Sequence, residues 1–362
     1  RPRPAHSAPS LALAAPTKSA CLAPGPPARQ PGAVKLLRQL RGRRPAGHEI
    51  DVVMPVHSAG CVVRRAIASL NQHFRPRRIL AAAPARECAA LRGYAQNVLC
   101  LDEDKVLPGV TRARLARSIV GLQANSSESD AGANGYGGHT AGGWYLQQFI
   151  KLGLAGSPLL RGKPLSEYFL VWDSDMVLLR DFRGFEADGR LQLMAGGNCL
   201  VWQHHSGGAK ACYAEAYHKL TGLKLLPSPA LPGRDAHGEP EAAKERNYVP
   251  HHMLMQRSAV QEMLQCFGEL WPWRVLDQAC GWPAGWAECR KGFSEYFSVA
   301  SWMKQHHPEE VVDVPQNYAR ETGSVCCPDE AALERYRAKG LLFVGFEQGD
   351  CGPWGAGRAS PG

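Results

Sequence analysis

Two carboxylates stand two residues apart at the end of an apolar run, in Tyr168-Phe169-Leu170-Val171-Trp172-Asp173-Ser174-Asp175-Met176-Val177. A continuous apolar run bounded by polar residues predicts a strand buried on both faces, the usual condition in a parallel sheet. Side chains alternate across a strand, so Asp173 and Asp175 point the same way if the extended conformation continues through them. Two neighbouring carboxylates at the end of a buried strand repel each other and lose solvation. A divalent cation resolves both problems, and hard oxygen ligands favour Mg²⁺ or Mn²⁺. Ligand crevices of open α/β sheets lie at the same carboxyl ends. The expectation is an active site with Asp173 and Asp175 as metal ligands.

Three further groups of residues have types that do chemistry. His251 and His252 stand in tandem before Met253-Leu254-Met255, at the head of a helix expected to run to about Gln265; His252 is the candidate third metal ligand. In a helix expected from Gly143 to about Gly153, Tyr145, Leu146, Phe149, Ile150 and Leu152 form the apolar face. Trp144, Gln147, Gln148 and Lys151 share the opposite face, where the large aromatic argues for a covered, ligand-facing surface. Glu295, in Phe293-Ser294-Glu295-Tyr296, is a candidate general base or ligand contact; its other reading is an acid favoured by a helix N-terminus. Trp271, Trp273, Trp282 and Trp286 would stack against a ligand ring or pack in the core.

The elements that must position these groups are legible in outline. Ile50 to Val56 reads as a first strand, Arg64 to Phe74 as a helix, and Arg78–Ala82 and Asn97–Leu101 as further strands. Strands alternating with helices predict an α/β fold with a parallel sheet. Residues 125–143 are rich in Gly, Ser and Asn, as in a long functional loop. Leu191 to Ala195 reads as a strand, Cys212 to Leu220 as a helix and Leu226 to Glu241 as a Pro/Gly-punctuated loop. Ser294 to Gln305 reads as a helix and Leu341 to Phe346 as a late strand, with a frayed end after Gly349.

Composition narrows the function classes. The chain has 362 residues, 44% hydrophobic and 21% charged, enough for a sizeable core. The net charge of +9 owes much to the first 48 residues, which hold nine Lys and Arg and no acid. No lysine-rich block interleaved with aromatics follows, so nucleic acid is not the expected partner. Twelve cysteines include no C-x-x-C pair, which argues against zinc and for a disulfide set of the secretory pathway. Asn125-Ser126-Ser127 is a lone glycosylation sequon. No apolar stretch approaches the roughly 18 residues that span a bilayer. The chain opens on arginine, and a native N-terminus carrying a membrane anchor is expected upstream.

Four segments together carry a resemblance: Asp102-Glu103-Asp104-Lys105-Val106-Leu107-Pro108-Gly109, Gly143-Trp144-Tyr145-Leu146-Gln147-Gln148, Val171-Trp172-Asp173-Ser174-Asp175 and His251-His252-Met253-Leu254-Met255. Over roughly residues 50–347 the chain resembles the GT-A class of nucleotide-sugar glycosyltransferases, as a D-x-D-containing subgroup. The resemblance implies a Rossmann-like α/β fold, with a mixed, mainly parallel sheet flanked by helices. Composition marks 1–48, rich in Pro, Ala and Arg, as a disordered tail, stem or targeting segment and the Gly-rich 348–362 as a flexible tail, while the resemblance implies a nucleotide-binding half over 49–180 and an acceptor half over 181–347. It further implies a nucleotide-sugar donor, a glycan, glycoprotein or small-molecule acceptor, Mn²⁺ or Mg²⁺ as cofactor, and Asp175 as the direct ligand. Val56 and His57 would cradle base and ribose, while Gln147, Lys151 and Asp173 would contact the nucleotide-sugar, Lys151 by its charge on the phosphates. A Golgi or secretory compartment suits the class, with plastid or cytoplasm as alternatives. Two other functions fit the residues. Asp173 to Val177 also matches the D-x-D-x-[TV] string of haloacid-dehalogenase-type phosphatases, with Asp173 as nucleophile and Asp175 as general acid. The third is a non-catalytic sugar-binding protein.

Overall fold

The computed structural model describes Cys21 and residues 45–124, 141–196, 209–235, 237–280, 292–322 and 327–347. The first apolar stretch forms strand β1 (Asp51–Pro55), and the chain returns through helix α1 (Cys61–His73) to β2 (Arg78–Ala83). A short helix α2 (Cys88–Arg92) leads to β3 (Val98–Asp102). Helices α3 (Arg112–Ala124) and α4 (Ala141–Gly153) precede β4 (Tyr168–Trp172). β4 lies on the far side of β1, parallel to it, which puts the carboxyl ends of β1 to β4 along one edge. The sheet order is β3-β2-β1-β4-β9, with β9 (His252–Gln256) antiparallel to β4. This is the mixed, mainly parallel sheet flanked by helices that the alternation of elements implies.

Helix α4 follows the expected face: Tyr145, Leu146, Phe149, Ile150 and Leu152 are all at most 1% exposed. Trp271, on α7 (Trp271–Cys280), packs edge-on against Phe149, so it belongs to the core; Trp273 lies under the Arg114 guanidinium. Trp282 and Trp286 lie outside the described residues, as do the 125–140 loop and its sequon.

The opposite edge of the sheet carries a different acid. Asp51, fully buried at the start of β1, accepts paired hydrogen bonds from Arg77 and Arg78 and one from the Ser166 N–H. Burial opposes its ionisation, but these donors hold its carboxyl below the usual range. With its donors supplied by neighbouring elements, Asp51 is structural.

Several elements depart from the sequence reading. The stretch after Pro250 is a strand before it is a helix: His252–Gln256 pairs with β4, and helix α6 begins only at Arg257 and ends at Phe267. The backbone groups along β4 need a partner on that side, and an apolar His-Met-Leu-Met-Gln run can be buried there. The expected loop at 226–241 contains strand β7 (Leu231–Arg234), paired with β8 (Pro240–Lys244). β6 (Leu191–Met194), helix α5 (Ala209–Thr221) and helix α8 (Glu295–His306) match the expected segments to within a few residues. Strands β10 (Val311–Val314) and β11 (Tyr318–Thr322) and helix α9 (Glu330–Ala338) had no clear periodicity to announce them. β12 (Phe343–Glu347) pairs with β11 and with β5 (Met176–Leu178), making a second small sheet beyond the two aspartates.

Disulfides join Cys21 to Cys266, Cys61 to Cys327 and Cys88 to Cys100. The first two cross 245 and 266 residues of sequence, so residues far apart in the chain are covalently tied. Cys21 is buried, which pins one point of the basic N-terminal segment to the end of α6. Among the described residues no helix is long and apolar enough to cross a membrane.

Candidate active site

Strand β4 stops at Trp172, and the extended conformation does not continue through the acids. The Met176 N–H donates to the Asp173 carbonyl at 3.1 Å, so Asp173 to Met176 is a turn. The buried Trp172 closes it, its Nε1 donating to the Met176 carbonyl at 2.9 Å. Beyond the turn the chain leaves the main sheet, and the Phe346 N–H of β12 holds the Asp175 carbonyl. The two carboxylates are therefore gathered by a turn between two sheets, where strand alternation was expected to align them. They still feel each other, because the charge on Asp173 helps to raise the pKa of Asp175.

Asp173 is the hub of a buried cluster. Its Oδ1 receives Lys151 Nζ at 2.6 Å and the Tyr296 hydroxyl at 2.9 Å. Its Oδ2 lies 3.0 Å from His251 Nδ1, and an ionised carboxylate requires that nitrogen to be the donor. Lys151 Nζ also meets Glu295 Oε1 at 2.7 Å and lies 4.5 Å from the centre of the Tyr296 ring. Helix α4 supplies the ammonium because position 151 sits one turn beyond Gln148, whose amide lies against Glu295. Helix α8 supplies Glu295 and Tyr296 from its first turn, capped by Ser294. The lysine and both of its carboxylate partners are thus drawn from three elements that are remote in sequence.

The electrostatics follow from the burial. Burial alone would raise Asp173, but the Lys151 charge and the His251 hydrogen bond hold its carboxyl well below the ordinary range. Burial and then the Asp173 charge raise Asp175. Glu295 is raised by burial and by Asp173, against the pull of Lys151. Lys151 is raised in spite of its burial, because two carboxylates surround it. Arg320, on β11, acts on Asp175 in the opposite sense to burial.

Asp175 Oδ1 is buried with no hydrogen-bond partner. An orphaned carboxylate oxygen, in a cluster with three acids and one lysine, is a fitting ligand for a divalent cation. Among the described residues no three His, Cys, Asp or Glu side chains converge into an all-protein cage. That donor set would suit Mg²⁺ or Mn²⁺ held by one or two carboxylates, with the remaining oxygens supplied from outside the protein.

The sequence-predicted residues divide into those this cluster contains and those it does not. Asp173, Asp175, Lys151 and Glu295 come together. Lys151 is spent on two carboxylates, so it is not the free phosphate contact that its helical face suggested. The Glu295 side chain is 2% exposed and pairs with that ammonium, so the structure holds it as the partner of Lys151. The amide beside Glu295 belongs to Gln148; Gln147, its half-buried neighbour, is on a different part of the helix surface. Tyr296 and Arg320 complete the cluster and were not singled out in the sequence; His251 enters it from the tandem pair and Gln148 from the ligand-facing side of its helix. A tandem histidine read as the head of a helix does not reveal which ring meets Asp173; the register of β9 with β4 does.

That register separates the two histidines. His252 pairs with Trp172 and is enclosed by the rings of Trp172, Phe182 and Phe343, with Nδ1 3.3 Å from the Pro250 carbonyl. It is held by aromatic packing and not by the carboxylates, which corrects its expected place as a metal ligand. Burial depresses its pKa to about 4. A neutral buried imidazole contributes stability that is full above the unfolded pKa of about 6.5 and lost as pH falls through the folded value. His252→Phe is therefore expected to change the pH dependence of unfolding. Between pH 7 and pH 4 the wild type should lose about 3 kcal/mol more than the variant in urea melts.

His251 instead adopts a left-handed backbone, with φ of 65°. There its carbonyl accepts the Asp173 N–H at 2.9 Å while its ring reaches the same residue's carboxylate. A non-glycine residue pays about 1 kcal/mol or more for that conformation. Glycine at 251 should regain that strain and lose one hydrogen bond, leaving stability within about 1 kcal/mol of wild type. Valine should cost at least about 2 kcal/mol in the same denaturant titration, since it adds β-branched strain to the lost bond.

At the carboxyl ends of β1 to β3 is a cavity of about 440 Å³ lined by His57, Arg86, Asp102, Glu103 and Arg112 among others. Val56, next to His57 in the chain, is buried at 2% and gives its N–H to the Ala82 carbonyl. Arg112 is held by a two-point contact with Glu103. Burial and the Arg112 charge lower the pKa of His57, which keeps its ring neutral near pH 7.

No protein-family model matches the chain, and no curated protein matches it in sequence. Similar solved structures include the apo form of mouse xyloside xylosyltransferase 1, at 11% identity and TM-score 0.35, with 82% of this chain and 97% of that one covered. The galactosyltransferase LgtC, in complex with donor and acceptor sugar analogues, is similar at 12% identity and TM-score 0.35, covering 86% and 89% of the two chains. An active-site mutant of LgtC gives 12% identity and TM-score 0.36, covering 82% and 87%.

Proposed function

We propose that this chain is a glycosyltransferase that moves a sugar from a nucleotide-diphospho-sugar to an acceptor hydroxyl with the help of Mn²⁺ or Mg²⁺. The observation that carries the reading is the buried, unpartnered Oδ1 of Asp175 beside an ionised Asp173 at the carboxyl end of β4. A cation held by Asp175 would bind the diphosphate and stabilise the negative charge that builds on it as the glycosyl bond breaks. Asp173 acts behind it as the fixed anion of the site. Lys151, Tyr296 and His251 hold that carboxylate in one rotamer, which preorganises the field at the leaving group.

The cavity beside His57 and Asp102 supports the nucleoside end of the donor, because it lies along the same sheet edge as the carboxylates. In this reading His57, which lines the cavity, and Val56 before it would lie against the base and ribose. The three disulfides support an oxidising compartment such as the Golgi lumen or another part of the secretory pathway. A glycan, glycoprotein or small molecule would be the acceptor.

The phosphatase reading fares less well. It needs an Asp173 oxygen turned toward phosphorus, and three of the four lone-pair sites of this carboxylate already accept donors from the protein. The acids also end the fourth strand, next to an antiparallel neighbour. Incubation with a panel of UDP- and GDP-sugars plus Mn²⁺ tests the choice. Cation-dependent release of a nucleoside diphosphate is expected with one or a few donors. Hydrolysis of an aryl phosphate, with no nucleotide released from any donor, would overturn it.

A further inference from the structure

The Lys151 ammonium is a fixed cation on one oxygen of Asp173. Its side chain is 2% exposed and lies between Asp173 Oδ1 at 2.6 Å and Glu295 Oε1 at 2.7 Å, against the Tyr296 ring. It has no route into solvent that does not leave two buried carboxylates uncompensated. Asp173 is largely engaged. Both lone pairs of Oδ1 are taken by Lys151 and Tyr296, and one lone pair of Oδ2 by His251, so three of its four lone-pair sites are occupied. Its Oδ1 could enter a coordination shell only if donors from α4 and α8 let go, and the ammonium already neutralises its charge. Asp175 differs in each respect: it has no ammonium, and its Oδ1 has no partner.

We propose that Lys151 is a built-in counter-cation that reserves Asp173, leaving Asp175 to hold the divalent ion and making tight cation binding conditional on the donor's diphosphate. This deepens the function proposed above and rests on it. One carboxylate is a poor site for Mn²⁺ or Mg²⁺, which are otherwise satisfied by water. A diphosphate supplies further oxygens of the same hard kind. The ammonium also repels a second cation placed next to Asp173. The donor and its cation would then arrive and leave together, and the site would not fill with metal between turnovers.

The test is Mn²⁺ binding followed by the electron paramagnetic resonance signal of the free ion, which needs no turnover. Wild-type protein is titrated with Mn²⁺ alone, with Mn²⁺ plus UDP and with Mn²⁺ plus GDP. The same series is run on K151M/E295Q, which removes the ammonium together with the carboxylate it would otherwise strand. Circular dichroism and a cooperative melt establish that the variant is folded. Wild type is expected to bind Mn²⁺ alone at least about tenfold more weakly than with the nucleotide it accepts, since phosphate oxygens complete the shell. The variant is expected to bind Mn²⁺ alone about tenfold more tightly than wild type, because Asp173 becomes available as a second carboxylate ligand. A purely structural role for Lys151 would lower stability without raising metal affinity.

Equal Mn²⁺ affinity of the wild type with and without nucleotide overturns the proposal, and so does a folded variant that gains no affinity. In both cases nucleotide binding itself leaves the transferase reading standing. Absence of UDP and GDP binding by the wild type in the presence of Mn²⁺ overturns the transferase reading and this inference with it.

Discussion

Asp175→Asn is expected to lower nucleotide release from the donor by at least about a hundredfold, the scale on which single preorganised charges act in a transition state. It should also abolish the tight binding of Mn²⁺ in the presence of the nucleotide. The same substitution should stabilise the protein when divalent ions are chelated. Asp175 is half-buried with Oδ1 out of solvent, and desolvation and the Asp173 charge raise its pKa, so its charge is a burden on the fold that the amide does not carry. The gain is on the order of 1 kcal/mol, the size of one relieved polar group. The sign follows from linkage. A carboxyl whose folded pKa lies above its unfolded one contributes most at pH values below the unfolded pKa, and loses that contribution as pH rises through the folded one. The advantage of the asparagine variant should therefore be largest near neutrality and vanish in acid, as seen in melts with EDTA. Unchanged turnover, or a variant less stable than wild type at pH 7, would remove Asp175 from the role assigned to it.

The second large effect is on stability. Lys151→Met should cost about 3–5 kcal/mol in urea unfolding, because it leaves Asp173 and Glu295 buried with no counter-charge. A methionine fills much of the same volume, so little of that cost is a cavity. Adding Glu295→Gln should return a substantial part of it, with a coupling of at least about 1 kcal/mol between the two positions. Strict additivity of the two substitutions would mean that the ammonium and Glu295 do not act as a unit. Both outcomes are read from the same double-mutant cycle, which also supplies the protein for the Mn²⁺ titrations.

Much of the site was legible because it rests on short-range patterns. The Phe169–Trp172 run had to be a buried strand, and the acids after it had to lie at its carboxyl end. The periodicity of α4 placed Lys151 and Gln148 on one face, away from the apolar stripe. Glu295 stood out as an acid at a helix start next to an aromatic. What such patterns leave open is which charges neutralise one another. Lys151 and Glu295 are 144 residues apart, and Asp173 and His251 are 78 apart. Only the packing of α4, α8 and β9 around the end of β4 brings them within hydrogen-bond reach.

The histidine pair shows the limit most clearly. A strand and a helix place adjacent side chains differently, so reading His252–Gln256 as part of a helix lost the distinction between the two rings. Pairing β9 against β4 sends His252 into the aromatic box and leaves His251 at the turn, with a backbone conformation that few non-glycine residues adopt.

From its sequence alone, then, this protein is determined to be an α/β chain with a mainly parallel sheet and a pair of acids where such sheets do their chemistry. Hydrophobic period and side-chain alternation are local properties, and they survive without knowledge of the neighbours. The partition of that pair into a clamped Asp173 and an open Asp175 was decided by tertiary structure. Charge compensation depends on distances in space, and an ammonium 22 residues before the first acid is silent until a helix folds it underneath.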